Sequence, residues 1–426
     1  MVQKDRIHRL SREGGWIIAG QAASVLGSLV LVRVLTEYLE PAEYGQLALG
    51  LTVATLVNQV VMGGLINGIG RFYSIATEKG DLWGYLRAAR RMLIIATAVV
   101  VGLGMILIGT LAAVEMHQWL WLATAALVFS ILSSYNSALN GIQNAARQRA
   151  IVALHGGMDA WLKIGLAVGV MLWLGTNSAA VVAGYALSAF IITLSQFFFL
   201  RRLIARQNVT CPQIINEDWT RQMWLFAWPM MVGGLFNWGY YASQRWALEL
   251  FVSTDEVGKF YALTQVAYTP IALAGSLFMS FITPIIYARV GDPNNRARLT
   301  DAKSLIFRIA SIGMGATLLA AAIAYFAHEW VFQILVAEKY RDYSVYMPLV
   351  VTAAGFLQSS LGLGLFVASK NQTKMILPLA VYGQSIIIIF NLSLTWVFGI
   401  NGLIVAMVCG AVLHLFWMHR ITRQVG

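Results

Sequence analysis

Apolar runs long enough to cross a bilayer follow one another along the whole chain, twelve of them, with short polar stretches between. A helix of about 20 apolar residues spans the hydrocarbon core. Lipid offers no partner to a free backbone N–H or C=O, so such runs must close their own hydrogen bonds as helices. Read against their polar boundaries, the spans fall at 15–36, 45–69, 91–113, 118–140, 150–173, 178–200, 222–250, 257–287, 304–327, 344–369, 375–398 and 400–418. Only 12% of the 426 residues are charged, about half the share of a soluble protein, so no separate soluble domain is expected. The first run, from Trp16 to about Leu35, is too long for a signal-peptide core and lacks a small-residue cleavage pattern. It reads as the first transmembrane helix.

The loops alternate in charge. One set carries 24 of the 30 Lys and Arg residues, among them Arg12, Lys79, Arg91, Arg149, Arg202, Arg298, Lys374 and Arg423. The opposite set is acidic, with Glu37, Glu40, Glu43, Glu115, Asp255, Glu256, Glu329, Glu338 and Asp342. Basic loops stay in the cytoplasm, so both termini are expected there and the span count is even. This placement also explains the net charge of +11 without nucleic acid as a partner. Cys211 and Cys409 show neither metal-ligand spacing nor a disulfide pattern. No nucleotide-binding loop or nucleophile–base arrangement appears, and no cofactor is expected.

The halves repeat. Span one ends with Arg33, then an acidic loop, then Glu43-Tyr-Gly45; span seven ends with Arg245, then an acidic loop, then Glu256-Val-Gly258. Gly184 precedes Arg202 by the same interval as Gly402 precedes Arg420. Six spans per half make this a parallel repeat, with both halves beginning on the same side. The expected fold is an all-α polytopic membrane protein of twelve transmembrane helices in two six-helix bundles. Residues 1–205 form the first bundle, 206–221 a cytoplasmic linker and 222–426 the second.

Three short segments carry a family resemblance: Arg33-x-Leu35 followed by Pro41-x-Glu43-Tyr44-Gly45, then Gly68-Ile-Gly70-Arg71-Phe72-Tyr73, and Tyr340 through Pro348 before an apolar helix. They resemble the polysaccharide transporter branch of the MOP (multidrug/oligosaccharidyl-lipid/polysaccharide) superfamily, the oligosaccharide flippases of MATE-like fold. The resemblance implies two bundles around a V-shaped cavity in a bacterial plasma (inner) membrane. It implies translocation of a polyprenyl-diphosphate-linked oligosaccharide from the inner to the outer leaflet, for O-antigen, capsule or exopolysaccharide. The expected partners are that lipid-linked oligosaccharide, membrane lipid and a downstream polysaccharide polymerase.

Charges inside spans are costly and face a cavity or a partner. Arg33, Lys163 and Arg245 are such cations, and arginine suits a diphosphate because its planar fork donates two hydrogen bonds at once. Arg33 and Arg245 read either as a paired substrate clamp or as interfacial anchors, with Glu249 one turn from Arg245 as a neutralising partner. His155, Asp159 and Lys163 share one helix face at i, i+4 and i+8. That face reads either as a cavity lining with ion coupling at His155 and Asp159, or as a self-neutralising Asp159–Lys163 pair. Trp238, Tyr241 and Arg245 on span seven, and Tyr261, Gln265 and Tyr268 on span eight, combine rings with amides that suit sugars, or pack between helices.

Three functions are weighed: the flippase, a cation-coupled drug or metabolite antiporter of the same superfamily, and a membrane polymerase or glycosyltransferase. An antiporter needs buried carboxylates, and only Asp159 lies deep within a span. A membrane enzyme needs a large outer loop, and the outer loops are short.

Overall fold

The computed structural model describes residues 2–206, 218–290, 296–370 and 372–425. Most of the expected linker, with Cys211, lies outside the described residues, as do the side chains of the first thirteen. Among the described residues the chain is helical and has no strand. The helices are α1 (Val2–Tyr38), α2 (Pro41–Leu56), α3 (Gly63–Glu78), α4 (Leu82–Ala113), α5 (His117–Ala145) and α6 (Arg149–Leu174). They continue with α7 (Ser178–Arg206), α8 (Trp219–Phe251), α9 (Thr254–Val290), α10 (Arg296–Leu335), α11 (Met347–Ser369) and α12 (Gln384–Gln424).

Polar residues at the span boundaries start these helices. A helix leaves its first backbone N–H groups unpaired, and a short polar side chain just before it accepts from one of them. Asp81 accepts from Gly84 N at 2.9 Å before α4, and Asn177 accepts from Ala180 N at 2.9 Å before α7. Asp218 accepts from Arg221 N at 3.0 Å before α8, and Ser253 accepts from Glu256 N at 3.3 Å before α9. Pro41 opens α2, where its missing N–H would have had no partner anyway.

Ten stretches of the described residues are long and apolar enough to cross a membrane. One of them, Leu379–Gln424, is two spans. At Gly399 the backbone takes φ 58°, ψ −138°, a conformation that only glycine adopts without strain. The helix doubles back there: Gly410 meets Ile387, and Gly383 meets Trp417, pairs that a straight helix would hold tens of ångströms apart. Helix α8 lies outside the ten and supplies the remaining span. The second span runs through α2 and α3 and is broken by a π turn at Val57–Val61, where Met62 N bonds Val57 O at 2.9 Å. The fold is therefore the twelve-span all-α architecture of two repeated halves.

Two compact units divide the chain. The first comprises Met1–Leu31 and Leu49–Trp238, the second Val32–Ala48 and Gly239–Gly426. Each takes a helical segment from the other half of the sequence, and α8 changes unit between Trp238 and Gly239. The core of the first unit gathers Met62, Leu65, Ile69, Tyr85, Trp219 and Ala227. That of the second gathers Ile286, Ala302, Ile306, Phe366, Leu379 and Met418.

Within the second unit the repeat meets itself. A Cβ on Gly45 would fall on Thr254 O and Gly258 N, and one on Gly258 would fall on Pro41 O and Gly45 N. Pro41 stands to Gly45 as Thr254 stands to Gly258, so the contact is reciprocal, and backbones approach this closely only where both helices present glycine.

Candidate substrate-binding site

In the second unit α8 and α9 bring two sets of side chains together, one helical turn apart. Arg245 donates from Nη1 to Ala48 O at 3.0 Å, and its guanidinium lies 4.6 Å from the Tyr261 ring centroid. Tyr44 packs against the same ring at 5.1 Å. No carboxylate pairs with Arg245 among the described residues. Glu249, its expected neutraliser, takes the Thr254 hydroxyl at 3.1 Å instead. A ring face holds a cation by about 0.5–2 kcal/mol, which steadies the guanidinium without cancelling its charge.

One turn earlier, Tyr241 and Tyr268 join their hydroxyls at 3.0 Å, with Tyr240 against Tyr241 at 4.7 Å. Gln265 accepts from Thr269 at 3.1 Å. The expected α8–α9 set of Tyr241, Arg245, Tyr261, Gln265 and Tyr268 thus lies within one unit. Trp238 does not join it. Its indole N–H goes to Thr52 O at 2.8 Å in the first unit, so the single face drawn through Trp238, Tyr241 and Arg245 is divided.

Arg33 behaves differently from Arg245. It pairs along its own helix with Glu37 at 3.0 Å, and the two side chains are 39% and 60% exposed. An exposed i,i+4 pair of this kind adds little energy; the other terminal nitrogen, Nη1, is buried and has no hydrogen-bond partner among the described residues.

On α6 the expected trio forms two separate sets. Lys163 pairs with Asp159 at 2.6 Å and lies over the Phe129 and Tyr185 rings at 5.6 and 5.9 Å. The second Asp159 oxygen accepts from Ser188 at 3.0 Å. His155 is buried, its Nδ1 against Ile151 O at 2.8 Å and its Nε2 against Ser195 Oγ at 2.9 Å. A carbonyl only accepts, so Nδ1 carries the proton. Both sets fasten α6 to α7, and both Asp159 oxygens are engaged.

Two features escape a reading of periodicity. Asp81 and Trp219, 138 positions apart, form a buried hydrogen bond at 2.7 Å. Asn58 and Gln59 sit on the π turn, where Asn58 Nδ2 bonds Ser133 Oγ at 2.9 Å, Asn58 Oδ1 accepts from Ser134 Oγ at 2.8 Å, and Gln59 meets Asn237. Their signal was two adjacent amides inside an apolar run, where polar groups are expensive.

A twelve-span helical fold with an internal repeat and polar side chains gathered within its helices defines a membrane transporter. The chain belongs to the polysaccharide biosynthesis protein family of the MOP superfamily, whose profile matches residues 10–288. Solved structures share the fold. A Vibrio cholerae MATE transporter, VcmN, is 15% identical over 98% of this chain and 96% of its own, with a TM-score of 0.63. An outward-facing multidrug resistance MATE family transporter is 13% identical over 97% and 96%, with a TM-score of 0.64. A MOP superfamily transporter from Pyrococcus furiosus, described as having a binding pocket of reverse polarity that suggests a different function, is 14% identical over 98% and 96%, with a TM-score of 0.55. No curated protein matches the chain in sequence.

Proposed function

We propose that the protein is a flippase that carries a polyprenyl-diphosphate-linked oligosaccharide from the inner to the outer leaflet by alternating access, with both termini cytoplasmic. The observation that carries this reading is the contrast between two half-buried charges within spans. Asp159, the one deep carboxylate, is neutralised by Lys163 and Ser188. Arg245 has a carbonyl and tyrosine rings beside it and no carboxylate among the described residues. An uncompensated cation within a span costs several kcal/mol, and a diphosphate headgroup offsets that cost by bidentate pairing. The family match supports polysaccharide synthesis as the setting; in this reading a downstream polymerase consumes the product. The polyprenyl tail stays in lipid.

The fold neighbours include multidrug transporters, so drug antiport is the reading to discriminate against. The test uses purified protein in liposomes holding a labelled lipid-linked oligosaccharide, read by its exposure to an external glycosidase. Protein-dependent movement between leaflets supports the flippase. A folded protein that never moves the lipid, yet takes up a soluble cationic drug against an ion gradient, replaces it with the antiporter.

A further inference from the structure

Gln59 and Asn237 form a carboxamide pair in the first unit: Asn237 Nδ2 donates to Gln59 Oε1 at 2.9 Å. An amide offers one NH2 group and one carbonyl oxygen. A single bond between two amides therefore leaves one NH2 and one carbonyl oxygen unspent, whichever way the two are oriented. Neither residue has another side-chain partner among the described residues, and both are half-buried, so the unspent groups are reachable.

The pair is held from both sides. Gln59 stands on the π turn, and such turns recur at functional sites because they redirect side chains. Its neighbour Asn58 is tied to Ser133 and Ser134 of α5. On α8, Gly234 admits the Gln59 carbonyl against the backbone, and Trp238 is fixed through Thr52 O. Gln59 lies near the middle of the Pro41–Glu78 course and Asn237 near the middle of Trp219–Phe251. Transporter sites gather at such depths, at interrupted helices. Polar amides there are costly unless they meet a polar ligand or water. Ser137 on α5 and Asn67 on α3 are also exposed within their spans.

We propose that the Gln59–Asn237 pair is the glycan subsite of the transporter, binding a vicinal diol of the uncharged sugar portion of the substrate. This rests on the flippase reading and adds which part of the substrate the first unit reads. Each hydroxyl of a diol both donates and accepts, so two neighbouring hydroxyls satisfy one NH2 and one carbonyl together. The Trp238 N–H is already spent on Thr52 O, so it does not compete with a sugar for the two amides.

The test compares two cargoes in liposomes: lipid-linked oligosaccharide extracted from source cells, and bare polyprenyl diphosphate. Asn237→Leu and Gln59→Met remove the amides at similar volume. Each is expected to slow the glycan-bearing lipid at least tenfold and to leave the bare lipid within twofold of wild type. The exchanged pair Gln59→Asn with Asn237→Gln should recover most of the glycan-lipid rate. Equal loss for both cargoes overturns the subsite and leaves a packing role. A second measurement stands apart from transport. A polyprenyl diphosphate bearing a diazirine-hexosamine should crosslink to peptides containing residues 57–61 or 236–239. Crosslinks confined to other helices overturn the proposal. If wild type moves neither cargo, the flippase reading fails, while crosslinks at these peptides still uphold the sugar subsite.

Discussion

Gly45 and Gly258, the glycines that open the same helix in each repeat, pack backbone against backbone, with the Thr254 and Pro41 carbonyl oxygens filling the space that a Cβ on each would need. The obstructing atoms are main-chain, so no side chain turns aside to relieve a clash. Gly45→Ala and Gly258→Ala are each expected to cost about 1–3 kcal/mol, the usual penalty for overpacking. Thermal unfolding of the purified protein measures it. Gly233, with nothing within 4 Å of its Cβ position, is the control, and Gly233→Ala should be neutral or stabilising by up to about 1 kcal/mol.

Trp219 gives its indole N–H to Asp81 at 2.7 Å, and Asp81 also caps α4. Both are nearly fully buried. Asp81→Ala removes a cap worth about 1 kcal/mol and strands a buried donor at about 1–3 kcal/mol, so a loss of about 2–4 kcal/mol is expected in the same assay. Trp219→Phe keeps the ring and should cost less. Equal stability of Asp81→Ala and wild type would contradict the fastening of α8 to the α3–α4 turn.

Arg245 and Arg33 should separate in function. Arg245→Gln is expected to lower liposome transport at least tenfold, and Arg33→Gln, whose guanidinium is already paired with Glu37, to lower it less than threefold. The double variant should be more impaired than either single change. Wild-type transport by a folded Arg33→Gln, Arg245→Gln protein would end the case for any phosphate contact at these sites.

Asp159 and Lys163 should behave as a matched pair. Lys163→Met leaves a half-buried carboxylate without its cation, so a marked drop in folded protein is expected. Adding Asp159→Asn should restore the protein level and retain transport. If the level recovers and transport remains abolished, Asp159 serves as an ion-coupling group.

Orientation follows from the loop charges. With single cysteines in intact cells, an impermeant maleimide should label Glu40→Cys and Glu338→Cys and spare Lys79→Cys and Arg298→Cys. Labelling of Lys79→Cys from outside reverses the expected topology.

The chain's fold class, span count and repeat were legible from the sequence because hydropathy and loop charge act over a few residues. The apolar runs of the spans, the alternating loop charges and the Glu-x-Gly openings at Gly45 and Gly258 all carry their meaning locally. Which side chains meet did not follow, because the partners lie far apart along the chain. Gln59 and Asn237 are 178 positions apart, and Trp238 and Thr52 are 186 apart. Sequence left Asp159 open between coupling and pairing until Ser188 of α7 took its second oxygen. It treated Arg33 and Arg245 as equivalents, whereas Glu37 claims one and Tyr261 the other. Periodicity drew one face through Trp238 and Arg245, but packing changes the unit of α8 between Trp238 and Gly239. A helix has one period along its length, but its neighbours change from turn to turn, and only tertiary structure decides those.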